Sequence, residues 1–358
     1  MSDPAPASGF DSAAESAGAD SAADDEEPTP VAIACQGGGS HTAFTAGVLK
    51  RLLREWGDRY ELVGISGTSG GAFNALAAWY GLVTADEDRA IELLDALWED
   101  LTADAATDRL LNDWVVGLSR IESSGVPFPR VSPYLTPGSR LGQRRIERIL
   151  ERHIDFEAIP DLCGREEPEL VVGTVDVNAG VFETFTNEGV TPKAILASSA
   201  VPNLFPAVEI HGHYHWDGLF SQNPPIDDLL TVDADRKPEE LWVIQINPQE
   251  REGEPTTLEE IADRRNELSG NISLNQELRV VERVNEWIEE GYLPEEKFTR
   301  TTVRRISMGR AYHCSTKVDR SPAFVRELME LGERRANEFL KSCSQSRSSP
   351  SSPSSPSS

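Results

Sequence analysis

The chain has 358 residues, with 39% hydrophobic side chains and a formal charge of −26; that length suits one large α/β domain or two ordinary ones. The acidic balance excludes a nucleic-acid binder, which needs a basic footprint, and weakens simple attraction to anionic lipid. The four cysteines (Cys35, Cys163, Cys314, Cys343) are widely spaced and indicate neither a disulfide framework nor a zinc site; with no signal-peptide pattern and no apolar run of membrane-spanning length, a soluble cytoplasmic protein is expected.

Residues 1–29 carry eight acids and no Lys or Arg, leaving −18 on the remainder. This segment is too poor in large apolar groups to fold and is expected to be a disordered acidic tail. Only six of the 34 basic residues are Lys, and an acidic, Lys-poor surface suits solubility in high salt, so a halophilic source is expected. Residues 31–35 form a short buried strand ending at Gly37-Gly38-Gly39, and residues 43–56 have the apolar spacing of a helix. A second strand, 62–66, leads into Gly67-Thr68-Ser69-Gly70-Gly71, followed by helices over 71–80 and 87–101. Strand, glycine turn, helix, repeated, is the rhythm of a mostly parallel α/β sheet with crossovers.

Residues 110–139 combine apolar positions with a Pro/Gly-rich stretch; they read as an ordinary helix and connection, the other reading being a cap or lipid-access surface. Next come a basic helix (140–153), a strand (169–176) with 181–186 pairing nearby, and a helix (192–199). A hairpin is predicted around His211-Gly212-His213. A very apolar strand (241–247), a long amphipathic helix (258–290) broken near Gly270, and a final helix (322–340) complete the folded domain, placed at 30–342. Residues 343–358, rich in Ser and Pro, are expected to form a second disordered tail.

A serine hydroxyl needs a base and donors for the oxyanion it creates. The turn around Ser69 has the form of a strand-to-helix elbow that exposes a nucleophile, with Gly67 and Gly71 letting chain and helix approach. The helix that follows turns its positive end toward the site. The run Gly37-Gly38-Gly39, with Gly70, offers main-chain N–H groups to an acyl oxyanion, though alone such a run also suits phosphate. It is neither a Walker A loop nor a full GxGxxG fingerprint.

Taken in order, Gly37-Gly38-Gly39-Ser40-His41, Gly67-Thr68-Ser69-Gly70-Gly71, Ala197-Ser198-Ser199-Ala200-Val201-Pro202 and Trp216-Asp217-Gly218 closely resemble the patatin-like phospholipase family over about residues 31–230. The resemblance implies a patatin-like three-layer α/β fold and a Ser-Asp dyad. Ser69 would be the nucleophile and Asp217 the general base, with Gly218 supporting its turn. It further implies hydrolysis of carboxylic esters of lipids without cofactor or metal, and peripheral, transient membrane contact. The oligomeric state is left open. One departure stands out: His41 and Thr42 occupy positions where the family usually has Arg or Lys, then Gly. His41 could keep a donor there, and Thr42 adds bulk to the loop.

Alternatives remain. His313 follows Asp217 and could complete a Ser-Asp-His triad. An esterase acting on non-lipid or polyester substrates, or a catalytically silent lipid-binding or scaffold protein, is also compatible. His211, His213 and His215 alternate, so a continuous strand would put them on one face; the reading taken is a solvent-facing hairpin rather than a metal site. Asp176 and Asn178 read as turn formers, Asn74 as a capping or packing residue, and Asn223-Pro224-Pro225 as the fixed exit from the Asp-Gly turn.

Overall fold

The computed structural model describes residues 27–103, 131–202, 204–230 and 236–348. Residues 1–26 of the expected acidic tail, 110–130 of the Pro/Gly-rich stretch and 349–358 of the expected C-terminal tail lie outside the described residues.

The fold is an α/β sheet of eight strands, mixed but parallel at its centre. Strands β1 (Thr29–Cys35), β2 (Tyr60–Thr68), β3 (Glu169–Asp176), β7 (Glu240–Gln245) and β8 (Thr302–Ser307) run parallel in the order β3-β2-β1-β7-β8. The inner strands β1, β2 and β7 are almost wholly buried, as expected of parallel strands covered on both faces. Three antiparallel strands gather around β3: β4 (Val181–Thr186), and the hairpin of β5 (Val208–Ile210) and β6 (His213–Asp217).

Alternation along each strand divides the core in two. Ile33, Ile65, Val172, Trp242 and Ile244 face one side, under α1 (Ala43–Glu55), α2 (Gly70–Thr84), α3 (Glu87–Leu101) and the final helix, α9 (Pro322–Ser348). Trp242 is fully buried and meets Tyr60 and Phe339 edge-on at 4.9 Å. Ala32, Ala34, Val63, Val171, Leu241 and Val243 face the other side. They pack against Ile226, against Leu229 of the short α7 (Asp227–Leu230), and against Leu274, Leu278 and Val281 of α8 (Leu258–Glu289). The remaining helices among the described residues are α4 (Pro137–His153), α5 (Ile159–Leu162) and α6 (Pro192–Ser198).

Two expectations are corrected and one strand was missed. Helix α8 is continuous through Gly270. The glycine marks a close approach: a Cβ there would stand 3.1 Å from Asn223 Nδ2 and 3.3 Å from Leu219 O. Strand β8 was not foreseen; its alternation is masked by Arg304 and Arg305, and Arg304 pairs with Glu240 at 2.8 Å. Helix α9 runs to Ser348 with Cys343 buried, so the boundary placed at 342 falls inside it. Among the described residues no helix is long and apolar enough to cross a membrane.

Candidate active site

Ser69 sits at the joint of β2 and α2 with φ 56° and ψ −129°. A non-glycine residue reaches this region only when its surroundings hold it there. A Cβ on Gly67 would meet the Gly71 carbonyl at 2.5 Å, so the bend closes only around glycine. The Ser69 amide donates to Ser198 Oγ at 2.9 Å, and Ser198 Oγ donates to Gly173 O at 2.7 Å. Ser198, on α6, therefore ties the elbow to β3. It lies in the Ala-Ser-Ser-Ala block read from the sequence, but no role had been assigned to it.

Register brings Asp217 to this elbow. β4 lies along one edge of β3, and both β2 and β6 lie along the other. β2 ends there with Thr68 opposite Gly173, and β6 takes over with Asp217 opposite Thr174. The carboxylate thus occupies the next place along the edge that the strand leading to Ser69 has just left. Gly218 permits it: a Cβ there would stand 2.7 Å from Gly173 O and 3.0 Å from Thr68 Cγ2.

Asp217 is fully buried. One oxygen accepts the Leu219 amide at 2.9 Å. The other, Oδ2, has no completed hydrogen bond among the described residues, although the Ser69 hydroxyl is close enough to lower the pKa. Burial outweighs both influences and pushes the Asp217 pKa up to about 7. A carboxylate whose charged form is held this weakly is a good proton acceptor near neutrality.

The glycine run divides. The Gly37 amide donates to Asn223 Oδ1 at 2.6 Å, so it is committed to the scaffold. Gly39 opens a 3-10 turn (Gly39–Thr42) and Gly70 opens α2; amides at helix starts have no acceptor within their helix. Gly38 lies directly before the first of these turns.

Behind the run is a buried amide network that sequence reasoning missed. Gln36 Nε2 donates to Asn271 Oδ1 at 3.0 Å and Asn223 O at 3.2 Å. Its Oε1 accepts the amides of Ile246 at 2.9 Å and Asn247 at 2.7 Å. Asn247 Nδ2 returns to Gly37 O at 3.3 Å, and Asn271 Nδ2 to Pro248 O at 3.0 Å. A glutamine directly after a strand of apolar residues was the available signal, since a buried amide must find partners.

His41 is buried against Tyr312 and Phe324, with Nε2 2.7 Å from Thr316 Oγ1. Burial, then the nearby Lys317 charge, lowers its pKa to about 3. It is neutral at pH 7 and does not replace the positive charge usual in the family. Lys317 itself is held by Asp263 at 2.5 Å and Glu267 at 3.1 Å. Thr42 is accommodated: its hydroxyl donates to Gly39 O at 2.7 Å and fills the space that a Cβ on Gly70 would need.

Asn74 packs as expected, donating to Thr42 O and Gly70 O and accepting from Trp98. His313 caps the turn at Cys314–Val318, with Ser315 Oγ 2.8 Å from Nδ1. Asp176 accepts the Asn178 and Ala179 amides, and its pKa is lowered, chiefly by Ala179. The three histidines do not share a strand: His211 lies in the turn with φ 51°, and β6 begins at His213. An open cavity of about 900 Å³ lies along α8, lined by Ile226, Leu230, Glu277, Val281 and Phe298 among others; its lining reaches Ser221 and Gln222 but not Ser69 or Asp217.

The sequence profile of the patatin-like phospholipases matches residues 33–230. The chain belongs to this family, whose members are generally lipid acyl hydrolases. No curated protein sequence matches it. Among solved structures it is similar to VipD from Legionella pneumophila, with 15% identity and a TM-score of 0.44 over 88% of this chain and 67% of VipD. It is also similar to the type III effector ExoU, with 15% identity and a TM-score of 0.34, covering 88% of this chain and 53% of that one. The ExoU–SpcU complex from Pseudomonas aeruginosa gives 13% identity and a TM-score of 0.34 over 88% of this chain and 52% of that one. The chain thus spans about half of ExoU.

Proposed function

We propose that the protein hydrolyses carboxylic esters of lipids through an acyl-Ser69 intermediate, with Asp217 as general base. The observation that carries this reading is the handover of the β3 edge from Thr68 to Asp217, which sets a buried carboxylate of raised pKa beside a strained nucleophile. Asp217 takes the Ser69 proton as Oγ attacks the acyl carbon, and the same proton goes to the departing alcohol. Asp217 then draws a proton from water, which releases the acid and restores Ser69. Amides of Gly38, Gly39 and Gly70 are the candidates to receive the oxyanion; Gly37 instead holds the loop through Asn223.

Lipid contact has a surface to suit it. Tyr134, Leu135, Leu141 and Leu204 are exposed together, and Tyr134 and α4 pack on the 204–207 segment through Ala207, Phe205 and Pro206. Exposed Arg140 and Arg144 flank them. Apolar groups beside cations suit peripheral attachment to a membrane.

A fluorophosphonate probe is expected to label the wild type and not Ser69→Ala. A folded wild type that takes no label would sink the hydrolase reading and leave a silent lipid-binding protein. Assaying short nitrophenyl esters through to phospholipids, at low and high salt, places the substrate. Turnover confined to water-soluble or polymeric esters would replace the lipid assignment.

A further inference from the structure

One row further from Asp217, on the same face of β6 and β3, lies a second group of titratable side chains that the dyad does not use. His215 is the Cα partner of Asp176, and Glu183 stands opposite Thr174 on β4. One ligand atom each from Asp176, Glu183 and His215 lies within 4.8 Å of the others. His213 brings Nδ1 to 2.5 Å from Asp176 Oδ2.

The bonding of His215 is the informative part. Its ring is almost completely buried, 1% exposed. Nδ1 is 3.2 Å from the His213 carbonyl, which can only accept. Nε2 is 2.7 Å from Glu183 Oε2, another acceptor. A neutral imidazole has one hydrogen for these two acceptors, so one of its nitrogens presents a lone pair to an acceptor. A second proton, or a metal ion that takes Nε2 and Oε2 as ligands, removes that conflict. Donation from Nδ1 to a carbonyl is also how metal-bound histidines are oriented.

We propose that Asp176, Glu183 and His215, with His213 as a fourth donor, form a binding site for a divalent first-row transition ion such as Zn²⁺. Imidazole nitrogen with carboxylate oxygen selects this class over Mg²⁺ or Ca²⁺, which take oxygen alone. Two acids and two histidines from β3, β4 and β6 provide the four ligands such an ion takes. The ion would pin the three strands one row from Asp217 without entering the ester chemistry, so the site stands whether or not the protein is a hydrolase.

The test is calorimetric titration of the full chain, stripped with chelator, using ZnCl₂ and separately CaCl₂. One saturable Zn²⁺ equivalent and a raised Tm are expected. Glu183→Gln and His215→Ala should each weaken binding by about a hundredfold or more, because even outer-shell partners of metal ligands cost 10–100-fold. Glu183 is half-exposed, so Glu183→Gln keeps the test valid if His215→Ala misfolds. Absence of a saturable equivalent would overturn the proposal, as would Zn²⁺ binding unchanged in folded Glu183→Gln. Either result would leave His215 and Glu183 as a charged pair. Preferential binding of Ca²⁺ would overturn the class of ion.

Discussion

The two halves of the site are built by different means. The half that holds the proposed dyad, Ser69 with Asp217, is set by backbone: glycines that let main chains touch and a strand edge shared by two partners. The half proposed to receive the oxyanion, from Gly37 onward, is set by side-chain amides: Gln36, Asn223, Asn247 and Asn271. One half stores strain and an under-solvated charge. The other is fully hydrogen-bonded at its hub. Substitutions should therefore separate activity from stability in the first half and couple them in the second.

The largest effect is expected at Asp217. Asp217→Asn should lower ester turnover by about a thousandfold or more, as loss of one member of a catalytic unit does, yet raise Tm above pH 7. The sign follows from its pKa, about 7 folded against an ordinary aspartate value of 3.8. The folded state holds its proton more tightly, so this group's contribution is full below about pH 4 and is lost as pH rises toward 7. The difference is on the order of 4 kcal/mol. Turnover should run the other way, rising through about pH 7 as the base ionises. Thermal unfolding of Asp217→Asn at pH 5 and pH 8, beside the wild-type rate profile, checks both; equal destabilisation at the two values would break the contrast.

Asn223→Ala should show the coupled behaviour. It frees the Gly37 amide, and an unsatisfied buried donor costs about 1–3 kcal/mol. Loosening the loop should also reduce kcat by about tenfold to a hundredfold, short of the loss from deleting an oxyanion donor outright. Urea unfolding and steady-state kinetics on one preparation decide this; a stability loss with kcat intact would remove Gly37–Gly39 from catalysis.

Gly270→Ala is a smaller test. In a free helix this change would gain about 1 kcal/mol. Here the new Cβ would press on Asn223 at 3.1 Å, so a net loss of roughly 1 kcal/mol is expected, with a modest fall in kcat. His313→Ala should matter least, leaving turnover within about threefold because the ring serves a local cap. A collapse comparable to Ser69→Ala would restore the triad reading.

The dyad half was legible because glycine carries its constraint in its identity. Gly67-Thr68-Ser69-Gly70-Gly71 and Asp217-Gly218 could be read as sites of close approach before any contact was known. The oxyanion half was half-legible. Gly37, Gly38 and Gly39 announced a loop, but nothing local told that Gly37 would face inward to Asn223 while its neighbours differ. That division depends on partners 186 to 235 residues away in sequence. Gly270 misled for the same reason: mid-helix glycine reads as a break, whereas tertiary packing uses it as a seat. Strand β8 was hidden by Arg304 and Arg305, whose charges are answered across the sheet edge by Glu240 and at Asn275.

The position of β7 has a consequence for how the protein is made. The family-matched stretch ends at residue 230, yet β7 (Glu240–Gln245) flanks β1 in mid-sheet, and Asn271 anchors Gln36 from α8. A nascent chain that has emerged only as far as the Asp-Gly turn has every residue of the proposed dyad and glycine loop and an open edge along β1. Ribosome-bound intermediates of that length should be protease-sensitive and without esterase turnover, and a gene trimmed to the recognisable segment should yield aggregate rather than a minimal enzyme.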